Sequence, residues 1–368
     1  MKETASHYFA RGNTARGAHF LYESAYQGLN RLFVLQGPSG TGKSTIIRGL
    51  ADSLLERGLH VQCFHSPLRP DELDGIIATD LRVGIIDEQA SGGVSGIEAG
   101  ETIFFDFVDA LDLSRLSAEQ RNMLDELHKR FPAAYSEALE GYGAALRIHD
   151  DWEKYYIESL DFAKCDQIVW ELMEDLFAGQ PQGAPGVTRH LFFGAATPKG
   201  AFDFIPDLTA SLRRRIFIKG RPGSGKSTML KKLAAGAEMN GVQVQVFHCG
   251  LDPHSLDMLI FPELSTAIFD STAPHEYFPE REGDEILDVY ERAMTPGTDE
   301  TYADELAAIK SLYSAKMKEA TGHLAEAEAI DAQLKALHTA ATDFSIVDGL
   351  RSQLFAELEH SLAEVSDK

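Results

Sequence analysis

The sequence predicts an α/β protein built twice, as two duplicated domains that each hold a parallel sheet flanked by helices and each end in a helical extension. Three observations carry this expectation. Slid against itself by 183 residues, the chain of 368 aligns Arg31–Ala90 with Arg214–Ala273 without a gap and with about 23 identities over 60 positions. In both copies a short apolar run leads into a glycine-rich loop, and helical periodicity follows. Strand–helix–strand in that order calls for crossover connections, and therefore for parallel strands with helices on both faces.

Taken in order, each copy opens with an extra strand. His7, Phe9, Thr14 and Gly17 fall on His190, Phe192, Thr197 and Gly200. Arg31–Gln36 and Arg215–Lys219 are apolar enough for a buried central strand. The next helix places Ile47, Leu50 and Leu54 on one face, and Leu230, Leu233 and Ala237 in the second copy. Gly58 and Gly241 stand where a helix ends. Leu59, Val61 and Cys63, and Val242, Val244 and Val246, alternate as in a strand. Pro70–Asp74 and Pro253–Asp257 read as a loop before the third strand, Val83–Ile86 and Thr266–Phe269. Thr102–Val108 and Glu285–Val289 read as fourth strands.

The rest of each copy, about 115–178 and 300–365, is helical in pattern and poor in Gly and Pro. Leu306, Tyr313, Ala320, Ala327 and Leu334 recur every seven residues, with Ile309, Met317, Leu324, Ile330 and Leu337 between them. That spacing makes either a coiled-coil seam or a stripe packed on its own domain. The helical parts of the two copies do not align, which places divergence there. The repeat divides the chain into 1–183 and 184–368, and Gln180–Val187 (QPQGAPGV) has linker composition.

Composition limits the functions. A net charge of −23 repels nucleic acid and anionic lipid, and the one compact basic run, Arg213–Arg215, reads as paired with nearby carboxylates. No apolar run approaches the ~18–20 residues of a membrane span. Met1–Arg16 lacks the apolar core of a signal peptide. Three cysteines without CxxC spacing disfavour disulfide frameworks and zinc ribbons, and a reducing cytoplasm is expected.

The chemistry concentrates in the glycine loops. Gly37-Pro38-Ser39-Gly40-Thr41-Gly42-Lys43-Ser44 and Gly220-Arg221-Pro222-Gly223-Ser224-Gly225-Lys226-Ser227 both fit G-x-x-x-x-G-K-[ST], and Thr45 and Thr228 follow. Glycines let such a loop turn its amides inward around an anion. The helix N-terminus adds about half a positive charge. Lys43 or Lys226 would reach the outer phosphates, and the Ser44 or Ser227 hydroxyl would ligate Mg²⁺. Asp87 and Asp270 end the third strands, where a carboxylate would hold the magnesium water shell. Glu88 follows Asp87 as a candidate base, whereas Ser271 stands in its place in the second copy. Asp106 and Asp109 compete for the base role. If Glu88 is the base, the first site hydrolyses and the second is slower or only binds.

His65 and His248 end the second strands and could face ligand or merely cap the strand. Asp74 and Asp257 could hold substrate or partner, or cap a helix or turn. Arg147, Arg281 and Arg292 are conceivable arginine fingers, or solvated surface residues.

At these motifs the chain resembles the P-loop NTPase superfamily. The duplicated layout is similar to bacterial tandem P-loop proteins described as ATPases or nucleotide kinases. The paired blocks FHSPLRPDELDGII and FHCGLDPHSLDMLI, the segments RVGIIDE and TAIFDSTAPH, and IHDDWEKYY at Ile148–Tyr156 share in the resemblance. It implies ATP and Mg²⁺ as cofactors, held by Lys43, Ser44, Asp87 and their counterparts. ATP is expected over GTP as the commoner nucleotide, and no Asn-Lys-x-Asp motif is found. Three functions fit: an ATPase that moves its domains or helical arms, a small-molecule or nucleotide kinase, and a nucleotide-gated binding module. A protein partner would dock through the helical extensions.

Overall fold

A computed structural model describes residues 5–179 and 185–366, so positions 180–184 of the expected linker lie outside the described residues. The first copy runs β1 (Ala5–Tyr8), β2 (Arg11–Thr14), β3 (Gly17–Phe20), α1 (Tyr22–Ala25), β4 (Leu29–Gln36), α2 (Lys43–Glu56), β5 (Val61–His65), β6 (Leu73–Ala78), β7 (Val83–Asp87), α3 (Glu88–Ser91), β8 (Ala99–Asp106), α4 (Ala118–Ile157) and α5 (Phe162–Phe177). The second repeats it: β9 (Thr188–Leu191), β10 (Gly194–Thr197), β11 (Gly200–Asp203), α6 (Ile205–Thr209), β12 (Arg214–Lys219), α7 (Lys226–Met239), β13 (Val244–His248), β14 (Leu256–Phe261), β15 (Thr266–Asp270) and β16 (Asp284–Asp288). It ends with α8 (Val289–Ala293), α9 (Thr298–Thr301), α10 (Ala303–Ala341) and α11 (Phe344–Ser366).

Each copy forms a six-stranded sheet, in the order β1-β5-β6-β7-β4-β8 and, in the same sense, β9-β13-β14-β15-β12-β16. The sheets are mostly parallel. The exception corrects the sequence reading: β6 and β14 run antiparallel between their neighbours. The segment read as a loop therefore continues into a strand. A tight turn joins it to the next one, with Arg82 and Ser265 in the left-handed region at φ 54 and 51. The expected opening strand is also shorter and ends in a small antiparallel hairpin, β2–β3 or β10–β11. Between strand and hairpin the copies meet, as Phe9 and Phe192 exchange two backbone hydrogen bonds of 3.0 Å.

Strand alternation assigns the two faces of each sheet to different cores. Leu32 and Val34, with Phe64, Ile77 and Ile86, join Phe217, Phe247, Met258, Ile260 and Phe269 in one cluster shared by both sheets. The other face, carrying Phe33, Leu35, Cys63, Ile76 and Ile85, packs on α2. Long helices thus cover one face of each sheet. The other face is covered by the companion sheet and the one-turn helices α1 and α6, a correction to the expectation of crossover helices on both.

The helical parts hold the larger surprise. α11 does not pack on the sheet it follows: Val347, Leu354 and Leu358 join the first sheet's core against α2. Reciprocally, α5 places Ile168, Val169, Leu176 and Phe177 in the second sheet's core against α7. α4 and α10 run antiparallel along each other between these exchanged ends. Their seam buries Leu124, Leu127 and Ala134 against Ala327, Ile330, Leu334 and Leu337, and Ala138 and Tyr142 against Ala320 and Leu324. At the crossing Gly141 is required, because a Cβ there would lie 2.8 Å from that of Ala320. The seven-residue spacing is therefore a coiled-coil seam between the copies. α4 and α10, and α5 and α11, occupy matching places in the two copies, one residue short of the repeat shift, as Asp161 and Asp343 show by donating their amides to Ala293 O and Ala110 O. Among the described residues no helix is long and apolar enough to cross a membrane.

Candidate functional site

The two glycine loops leave the carboxyl ends of β4 and β12 and turn into α2 and α7. Gly42 and Gly225 cap these helices with φ 93 and 86, a conformation that costs glycine little and other residues much. Lys43 is almost fully buried and curls back over its loop: its Nζ donates to the carbonyls of Gly37 and, at 3.2 Å, Pro38, and lies 3.4 Å from Asp87 Oδ1. Lys226 does the same, 2.9 Å from the Arg221 carbonyl and 3.5 Å from Asp270 Oδ2. Burial pushes the Lys43 pKa down, against the pull of Asp87. Burial likewise lifts Asp87 above the usual carboxylate range, opposed by Lys43.

Antiparallel β6 and β14 have a local role here. The Ser44 hydroxyl accepts the Leu73 N–H at 3.2 Å, and Ser227 accepts that of Leu256 at 3.0 Å. The strand that sequence reasoning missed thus ties each loop serine to the sheet edge. Asp87 caps α3 by accepting the amides of Gln89 and Ala90 at 3.0 and 3.4 Å. Asp270 accepts Thr272 N–H and Oγ1–H at 3.1 and 2.7 Å.

The copies differ beside these carboxylates. Glu88 accepts Gln36 Nε2–H at 2.9 Å. In the second copy Lys219 replaces Gln36 and donates to the Ser271 carbonyl at 2.7 Å, while the fully buried Ser271 hydroxyl donates to Tyr277 O at 2.7 Å. Glu88 and Ser271 therefore changed together with their partners. Of the competing acids, Asp106 caps the turn at Val108 N–H (2.7 Å) and Asp109 lies in the short turn 108–110.

His65 and His248 are engaged away from the loops. Each ring donates from Nδ1 to a carbonyl, Pro70 or Pro253, at 2.6 Å, which leaves Nε2 to accept from Nδ1 of His7 or His190 at 2.9 and 2.8 Å. Burial pushes both down to about 4, so they are neutral at pH 7. Asp74 is buried and meets Arg11 Nε at 2.7 Å and the Tyr22 hydroxyl at 3.1 Å. Its counterpart Asp257 has no such arginine, since Gly194 stands at the Arg11 position. Burial, with Asp270 nearby, lifts Asp257 to about 6.

Two of the three arginine candidates are occupied elsewhere. Arg292 pairs with Glu171 at 2.6 Å, Arg281 holds the carbonyls of Thr209 and Leu212, and Arg147 borders a surface recess with Ser136 and Glu140. In the basic run, Arg214 pairs with Asp175 and Glu285, and Arg215 with Asp284.

Sequence reasoning missed the groups that cross from the opposite copy. α10 lies on the first loop: a Cβ at Gly40 would come within 2.6 Å of Lys335 O. His338 Nδ1 donates to Ser39 O at 2.8 Å and Thr339 Oγ1 to Gly40 O at 2.9 Å. α4 lies on the second loop, where a Cβ at Gly223 would meet Glu153 O at 2.6 Å. Arg221 there binds Asp299 at 2.8 Å, which also accepts the Tyr156 hydroxyl at 2.9 Å. His149, Asp150 and Glu153 of α4 cluster nearby as oxygen and nitrogen donors. A cavity of about 160 Å³ adjoins the second loop, between Leu160, Phe162 and Cys165 of the first copy and Gly225, Thr228 and Met229 of the second. Comparison of the chain with protein-family models, curated proteins and solved structures finds no match.

Proposed function

We propose that the protein is a Mg²⁺-dependent ATPase with two P-loop sites, hydrolysing at the first and coupling the reaction to movement of its halves and helical arms. One observation carries the reading. In each copy a buried or nearly buried lysine at a helix N-terminus lies within 3.4 or 3.5 Å of a strand-end carboxylate, inside a loop whose glycines turn its backbone. Backbone amides, a helix N-terminus and a lysine suit a polyphosphate, and a hydroxyl plus a carboxylate supply the hard oxygens that Mg²⁺ takes. Lys43, Ser44 and Asp87 would hold Mg·ATP at the first site, and Lys226, Ser227 and Asp270 at the second. The metal would neutralise charge on the outer phosphates. Glu88, oriented by Gln36, is the candidate base for a water nucleophile, and Ser271 cannot take that role. The crossed helices support coupling, because each loop carries a helix of the opposite copy. A reducing cytoplasm suits the free thiols Cys63, Cys165 and Cys249.

Equilibrium titration with a fluorescent ATP analogue and Mg²⁺ tests the binding claim. Two sites per chain are expected, one of them lost in Lys43→Ala and the other in Lys226→Ala. Binding unchanged in both variants would overturn the reading.

A further inference from the structure

We propose that Lys335, on the second copy's long helix, completes the first phosphate site and contacts the terminal phosphate of ATP bound there. The proposal rests on the P-loop reading above and names a residue outside both sequence motifs.

Contacts from three residues of α10 place it. His338 and Thr339 fasten the carbonyls of Ser39 and Gly40 from outside, which favours amides that face inward. One turn earlier, Lys335 packs its backbone on Gly40 and sends its ammonium to both carboxylate oxygens of Glu72. Glu72 directly precedes Leu73, the residue whose amide binds the Ser44 hydroxyl. The ammonium thus stands on the side of the loop to which Ser44 is tied, and its charge adds to the downward shift of Lys43.

The pair is free to rearrange. Lys335 and Glu72 are partly exposed, with side-chain accessibilities of 24% and 33%, and an ion pair in that setting contributes little stability. A terminal phosphate carries more charge than Glu72 and would compete for the lysine. The nearby acids of α10 are held by another cation, since Arg69 binds Glu328 at 2.9 Å and also Asp331.

The arrangement belongs to the first site alone. Matched by their equivalent contacts on Gly40 and Gly223, Lys335, His338 and Thr339 correspond to Glu153, Tyr156 and Ile157, and Ser255 stands at the position of Glu72. This asymmetry runs in the same direction as Glu88 against Ser271, from different residues on different elements.

The test uses full-length protein carrying Lys226→Ala, so that the first site is read. Affinities for Mg·ATP and Mg·ADP are measured with Lys335, and with Lys335→Ala, Lys335→Gln and Lys335→Arg. A charged hydrogen bond to the terminal phosphate predicts a ~10-fold or greater loss of ATP affinity in Lys335→Ala and Lys335→Gln, with ADP affinity within ~3-fold and recovery in Lys335→Arg. Equal losses for both nucleotides, or none, would overturn it, and thermal melts identify any variant that fails to fold. Binding abolished by Lys43→Ala but indifferent to Lys335 defeats this inference alone. Binding indifferent to Lys43 defeats the P-loop reading and this inference with it.

Discussion

At the residue scale, Asp74 and Asp257 occupy one position of the repeat in two electrostatic settings. Asp74 is met by Arg11 and Tyr22, whereas Asp257 faces Asp270 and rises to about 6 from an ordinary 3.8. The folded state therefore holds the Asp257 proton over a range where the unfolded chain has lost it, and stability falls as pH climbs from about 4 to about 6. Asp257→Asn should stabilise the protein at pH 7.5 by at most ~3 kcal/mol, with the gain gone below about pH 4. Urea denaturation at the two pH values measures it, and an equal effect at both would refute the assignment. The loop lysines, serines and strand-end carboxylates were legible in the sequence because both copies carry those residue types at one fixed spacing. The Arg11–Asp74 pair and the His7–His65 and His190–His248 pairs were not, because their partners lie 58 to 63 residues apart and no local pattern links them.

At the element scale, what the sequence hid was pairing. Leu73–Ala78 is apolar but short and begins inside a polar segment, so periodicity alone does not distinguish strand from loop. The seam of α10 was visible as a heptad, since coiled-coil packing repeats in sequence. Its partner was not, because small apolar residues such as Ala134, Ala138, Ala320 and Ala327 fit many helices. Exchange of α5 and α11 has a measurable consequence. Leu354 is fully buried on α11 against the first sheet. Leu354→Ala should cost ~2–5 kcal/mol, and hydrogen exchange should quicken first in β4 and β5. Faster exchange confined to the second sheet, which precedes α11 in the chain, would contradict the exchange.

At the scale of the whole molecule, two sheets share one core through their facing sides, and two crossed helical arms lock each copy onto the other. The repeat announced the duplication, and apolar strands announced that both faces are covered. What covers them depends on contacts between positions more than 100 residues apart, which neither composition nor periodicity records. This architecture lays a helix of each copy on the glycine loop of the other, so the proposed function requires two unequal, connected sites. The most direct test is phosphate release from ATP and Mg²⁺ by the purified chain, beside Lys43→Ala and Lys226→Ala. The account predicts turnover without an added acceptor, abolished in Lys43→Ala and reduced less in Lys226→Ala. Tight ATP binding with no release by the unmodified protein, or release that survives Lys43→Ala, would contradict it.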